Sequence, residues 1–149
     1  MPGTHSQILL HIVFSTKRRE PWIDGALAAR LFPYIGGIVR AEGGVVYAIG
    51  GVDDHVHLYL RWKTDAAIAD LMRTVKSRST KWVHVEFPAL GAFAWQEGYA
   101  VFSVSKSQED VVKAYIAKQR EHHAREDFRT EMVRLLKAHG VEFDERHID

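Results

Sequence analysis

The segment His55-Val56-His57-Leu58-Tyr59-Leu60-Arg61-Trp62 constrains the fold more than any other part of the chain. Side chains alternate sides along a β-strand, so Val56, Leu58, Leu60 and Trp62 fall on one face. His55, His57, Tyr59 and Arg61 fall on the other. A strand with one continuous apolar face belongs to a sheet that is covered on that side. The preceding Asp53-Asp54 reads as a tight turn and Val45–Val52 as a partner strand, which together predict a hairpin. The two imidazoles are then expected side by side on the opposite, open face of the sheet.

The rest of the chain supplies the layers. Gln7 to Thr16 is rich in β-branched and aromatic residues and predicts a first strand, ended by Lys17-Arg18-Arg19-Glu20-Pro21. From an Asp24 N-cap to about Ala41, apolar residues recur at helical spacing, with Pro33 arguing for a break or kink. A second helix, capped by Thr64 or Asp65, buries Ile68, Leu71, Met72, Val75, Ser79 and Trp82. Residues 87–98 read as a loop and 99–105 as a fourth strand. A helix opened by Ser107 is expected to run to about Arg125, and a last one from about Asp127 to His139, closed by Gly140. The order strand, helix, strand, strand, helix, strand, helix, helix predicts an α+β fold. Its centre is a four- to five-stranded antiparallel sheet with helices packed on one face (ferredoxin-like or RRM-like), in a single domain over residues 1–149.

Composition narrows the chemistry. With 149 residues, 46% of them hydrophobic and 26% charged, the chain is an ordinary globular one rather than a disordered one. It has no cysteine, which excludes thiolate metal sites and cysteine nucleophiles. No apolar run is long enough for a membrane helix, and the first residues lack a signal-peptide layout, so a cytoplasmic location is expected. The net charge of +1 divides unevenly. Residues 1–83 hold 11 Lys and Arg against 7 Asp and Glu, and residues 84–149 hold 9 against 12. A mildly basic first half permits a phosphate-binding face without requiring one.

Several residue groups can carry chemistry, each with a plainer use. His55 and His57, two apart on a strand, can both reach one metal ion, or can be polar groups on a solvated face. With no cysteine, two histidines need a further ligand. Gln119 offers an amide oxygen, and Tyr115, four residues earlier, shares its helix face. Tyr115 can equally be a half-buried aromatic beside Val112 and Ile116. Arg73, Lys76, Arg78 and Lys81 suit phosphate oxygens or form a solvated helix face. Lys17-Arg18-Arg19 can guard a strand edge. Trp95, Tyr99 and Phe102 either stack on unpaired bases or fill the core.

Asp54-His55-Val56-His57-Leu58 on a strand, followed about sixty residues later by Tyr115-Ile116-x-x-Gln119 on a helix, resembles the single-tyrosine HUH transposases of the insertion-sequence-200-like group. The segments HIVFSTKRR, FAWQEGYAVFSVS and HGVEFDERHI look like the same family, so the resemblance spans nearly the whole chain. It implies that His55, His57 and Gln119 hold one divalent ion, Mg²⁺ or Mn²⁺. It implies that Tyr115 attacks single-stranded DNA, forming a 5′-phosphotyrosine and releasing a 3′-hydroxyl, with hairpins recognised at the ends of an insertion sequence. It also implies a homodimer with sites shared between subunits, and Arg73, Lys76, Arg78 and Lys81 as backbone contacts. Two other readings stand beside it: a domesticated nicking and strand-transfer enzyme with the same site, and a metal-independent module that binds single-stranded nucleic acid on its sheet.

Overall fold

The computed structural model describes residues 3–148; Met1 and Pro2, part of the N-terminal run read above, and Asp149 lie outside the described residues. Four strands form one antiparallel sheet: β1 (Ile8–Ser15), β2 (Val45–Val52), β3 (His55–Trp62) and β4 (Ala100–Ser103), in the order β2-β3-β1-β4. That order, with α1 (Gly25–Ala41) after β1 and α2 (Ile68–Glu86) after β3, is the ferredoxin-like arrangement. Register follows the alternation. Leu10, Ile12 and Phe14 of β1 join Val56, Leu58, Leu60 and Trp62 of β3 in one cluster with Leu27, Leu31 and Ile35 of α1 and Leu71, Met72 and Val75 of α2.

Local chemistry sets the ends of these elements. Asp24 caps α1 by accepting a hydrogen bond from the Leu27 amide at 2.8 Å, and α1 runs through Pro33 unbroken. Asp127 caps α5 (Phe128–Ala138) the same way, accepting from the Thr130 amide at 2.8 Å. Gly140 follows α5 at φ +67, where a Cβ would be strained. The second helix starts later than its sequence suggests: Ala67 is its N-cap, and neither Thr64 nor Asp65 caps it. The helix expected from Ser107 to Arg125 is two, α3 (Glu109–Ala117) and α4 (Gln119–His123), broken at Lys118, whose ψ of 20° leaves the helical region.

Beyond the helices that cover the apolar face, the second face is covered as well. The C-terminal helices lie on it. Val13 and Phe102 pack with Phe128, Met132, Leu135 and Ile148, while Leu9 and Tyr59 pack with Ile116. The face expected to be open thus carries two small apolar clusters with the histidines between them, and His55 and His57 are fully buried. One glycine makes this possible. A Cβ on Gly50 would stand 2.6 Å from the Ile116 carbonyl oxygen, so α3 lies against bare backbone. Gly50 is the register partner of His57, which places the backbone of α3 beside the histidine pair.

Candidate metal centre and nucleophile

The two histidines leave the Asp53-Asp54 turn on β3 with ring centroids 5.0 Å apart. Each has its Nδ1 engaged from behind. His55 Nδ1 lies 2.8 Å from Asp54 Oδ1, and His57 Nδ1 lies 2.8 Å from Nε2 of His11 on β1. Both Nε2 atoms therefore point toward the C-terminal helices. There His55 Nε2 is 3.0 Å from Gln119 Oε1 and 3.1 Å from Glu131 Oε1, and His57 Nε2 is 3.1 Å from the same Glu131 oxygen. His123 Nε2 reaches that oxygen too, at 3.0 Å.

The other Glu131 oxygen faces the tyrosine. Oε2 accepts hydrogen bonds from Gln119 Nε2 at 3.0 Å and from the Tyr115 hydroxyl. Arg134, one turn along α5, donates to the Tyr115 oxygen at 2.9 Å and to Glu126 at 2.8 Å. One buried carboxylate thus joins the histidines on one side to the tyrosine on the other.

The protonation pattern follows from these contacts. Burial alone would lower the His55 pKa, but hydrogen bonds to Asp54 and Glu131 outweigh it and raise the group to about 9. Burial dominates at His57 and holds it down to about 4, and at His11, with help from neighbouring His57, to about 3. Burial opposes ionisation of Glu131, yet hydrogen bonds from His55 and His57 hold its carboxyl far below the usual range. Burial and the anionic Glu131 push the Tyr115 phenol up, opposed by Arg134. At neutral pH without metal, the centre is an imidazolium–carboxylate pair beside a neutral imidazole and a protonated tyrosine.

The donor set fits a divalent ion. Single ligand atoms of His55, His57 and Glu131 lie within 4.8 Å of one another. Donors about 2.1 Å from a common ion and at right angles lie about 3.0 Å apart, matching the observed spacings. Two imidazole nitrogens, a carboxylate and an amide oxygen form a mixed nitrogen and oxygen donor set of the kind that binds a divalent ion.

The structure brings His55, His57, Gln119 and Tyr115 together despite the break at Lys118. Arg73, Lys76, Arg78 and Lys81 lie apart, on α2, which packs on the opposite face of the sheet. Arg73 pairs with Asp70 at 2.9 Å, and Lys76 donates to the backbone oxygens of Gln96 and Gly98. Three contributors went unread in the sequence: His11, Glu131 and Arg134. Glu131 had a signal. Phe128, Glu131, Met132 and Leu135 share the buried side of α5, and a charge within an apolar helical stripe needs a partner.

Known proteins resemble this chain in sequence and in fold. The family described as "Transposase IS200 like" matches residues 4–119, which include both histidines, Tyr115 and Gln119 but end before Glu131. The ISDra2 transposase TnpA of Deinococcus radiodurans is 27% identical over 118 residues, covering 76% of this chain and 84% of that protein. A crystal structure of a Deinococcus radiodurans R1 protein assigned as a transposase superposes with a TM-score of 0.67 at 25% identity, covering 80% of this chain and 95% of the other. A REP-associated tyrosine transposase bound to a REP hairpin shares the fold, with a TM-score of 0.60 at 13% identity over 83% of this chain and 74% of the other. Matched over residues 4–119, more than half of its length, the chain belongs to the IS200-like transposase family.

Proposed function

We propose that this transposase cuts and rejoins single-stranded DNA through a 5′-phosphotyrosine on Tyr115, at a centre where His55, His57, Gln119 and Glu131 hold Mg²⁺ or Mn²⁺. The observation that carries this reading is the shared carboxylate: the Tyr115 hydroxyl and both histidine Nε2 atoms meet on Glu131. When bound, the divalent ion would neutralise charge on the non-bridging oxygens of the scissile phosphate. Glu131 Oε2 takes the Tyr115 proton as the phenol oxygen bonds to phosphorus; the phosphorus–O3′ bond breaks, and the departing 3′-oxyanion takes a proton from solvent to become the 3′-hydroxyl. Arg134 donates to the same phenol oxygen and stabilises its negative charge. Asp54 and His11 hold the two metal-binding rings in orientation.

The rings of His57 and Tyr115 of one chain lie 5.6 Å apart in an edge-on contact, which supports a site built within a single subunit. A homodimer that exchanges the tyrosine helix is not required to build it. Hairpin-bearing DNA is the proposed partner, with the outer face of α2, where Lys81 is exposed, contacting its backbone. A sheet platform for bases is disfavoured, because the C-terminal helices cover that face.

The test uses single-stranded oligonucleotides from the DNA flanking the gene, with Mn²⁺. Wild-type protein should cut them, while folded Tyr115→Phe and His57→Ala should not. Cleavage surviving in either variant contradicts the assignment.

A further inference from the structure

Beside the metal centre lies a cavity of about 350 Å³, at the small end of the range for small-molecule sites. Its walls are Phe128, Met132 and Leu136 of α5, Phe143, Tyr99, and Ser15 at the end of β1. Phe128 is the partition: its ring lies 4.6 Å from that of His55, tilted by 35°, on one side and lines the cavity on the other. Trp95 and Phe102 are buried in the core, whereas Tyr99 stays exposed, with the Lys76 ammonium 5.9 Å over its ring.

The Lys17-Arg18-Arg19 turn begins two residues after Ser15, which lines the cavity. Arg18 and Arg19 both adopt positive φ, at 56° and 54°, which bulky side chains avoid unless the surroundings enforce it. The enforcement is visible. Thr16 N donates to Asp54 O at 2.8 Å, Thr16 Oγ1 to Glu20 O at 2.7 Å, and Lys17 N to Ala94 O at 2.9 Å. Arg18 N donates to Gln96 Oε1 at 3.3 Å, and Gln96 N to Ser15 O at 2.9 Å. The turn is therefore tied to Thr16 and Gln96, the chain neighbours of Ser15 and Glu97 in the cavity wall. Lys17 and Arg18 are exposed, so the strain serves no burial. Two carboxylates at the cavity are each met by a cation: Asp144 by Arg146 at 2.7 Å, and Glu97 by the nearby Lys76.

We propose that cavity and turn form one nucleotide subsite, the cavity taking an unpaired base of the strand being cut and the turn holding a neighbouring phosphate. The aromatic walls suit a planar ring, and the exposed Lys17 and Arg18 of the backbone-anchored turn suit a phosphate. The subsite rests on the DNA-cleaving reading above and extends it to residues that take no part in the chemistry.

Binding is measured by fluorescence anisotropy on two probes, a twelve-nucleotide oligothymidylate and a twelve-unit strand with the same phosphates and no bases. Wild-type protein should bind the oligothymidylate about tenfold or more tightly over the abasic strand. Tyr99→Ala and Phe143→Ala should remove most of that preference. Tyr99 is exposed, so its variant keeps the test decisive even if Phe143→Ala loosens the C-terminal segment. Arg18→Gln should weaken both probes alike and reduce the slope of log affinity against log salt by about 0.7. Equal binding of the two probes by wild type, or a preference retained in Tyr99→Ala, overturns the base cavity. An unchanged salt slope in Arg18→Gln and Lys17→Gln overturns the phosphate turn. Wild-type protein that binds neither probe contradicts the DNA reading itself, an outcome distinct from equal binding.

Discussion

Glu131 has two jobs at once, since one oxygen faces the imidazoles and the other faces the nucleophile. Replacing it with Gln keeps the shape but removes the anion. Glu131→Gln should lower Mn²⁺ affinity by about 100-fold, measured by calorimetry, and cleavage should fall in step. Unchanged affinity would limit Glu131 to a hydrogen-bonding role. His55 adds a pH signature. With its pKa raised to about 9, it must lose a proton to bind metal, so apparent Mn²⁺ affinity should rise about tenfold per pH unit between pH 7 and 8.5 and level off above about 9. A flat profile contradicts the imidazolium assignment. At this scale the sequence was only partly legible. The spacing of His55 and His57 marks a pair, and Tyr115 and Gln119 mark a helix face. Glu131 comes from a helix whose placement over the sheet depends on long-range packing that local pattern does not encode. His11, inside the apolar run of β1, gives no sign that its ring meets His57 diagonally across two strands.

Among the elements, β3 and its hairpin follow from alternation, and α1 and most of the α2 stripe from helical spacing, although Ile68 and Trp82 are only partly buried and Val83 is buried instead. The break at Lys118 does not, because Tyr115 to His123 reads as continuous helix by propensity. What decides it is tertiary: Gln119 is drawn inward to His55 and Glu131 and is fully buried. Nor does the pattern of β3 reveal that its polar face is covered, since the helices that cover it follow much later in the chain. The covering depends on Gly50. Gly50→Ala must push the Ile116 backbone outward, carrying Tyr115 with it. Overpacking of this kind costs about 1–3 kcal/mol. We expect a lower melting temperature and cleavage reduced more than Mn²⁺ binding, because the two histidines stay on β3. Wild-type cleavage in Gly50→Ala would show that α3 is not held by that contact.

The whole molecule titrates around its buried histidines. His55, raised to about 9, stabilises the fold fully below its unfolded value near 6.5, and that contribution is lost as pH rises through 9. His57 and His11, held at about 4 and 3, act oppositely: they stay neutral in the fold, and stability is lost as pH falls below about 6.5 toward those values. Metal-free protein should therefore be most stable near pH 6.5, with the melting temperature falling by several degrees at pH 5 and at pH 9. A monotonic profile contradicts this balance. Assembly gives a further expectation. Because Tyr115 meets the histidines of its own chain, a mixture of Tyr115→Phe and His57→Ala proteins should remain inactive, whereas restored cleavage would show that sites are shared between subunits.

The central claim is that Tyr115 becomes covalently joined to a DNA 5′ end at a metal-dependent centre. It is tested most directly by incubating the protein with flanking single-stranded oligonucleotides and Mn²⁺, denaturing the mixture, and resolving it on a gel. The account predicts a slower protein–DNA band that needs both metal and Tyr115, with the phosphate mapped to Tyr115 by mass spectrometry. Cleavage without such a band, or a band that persists in Tyr115→Phe, would contradict it.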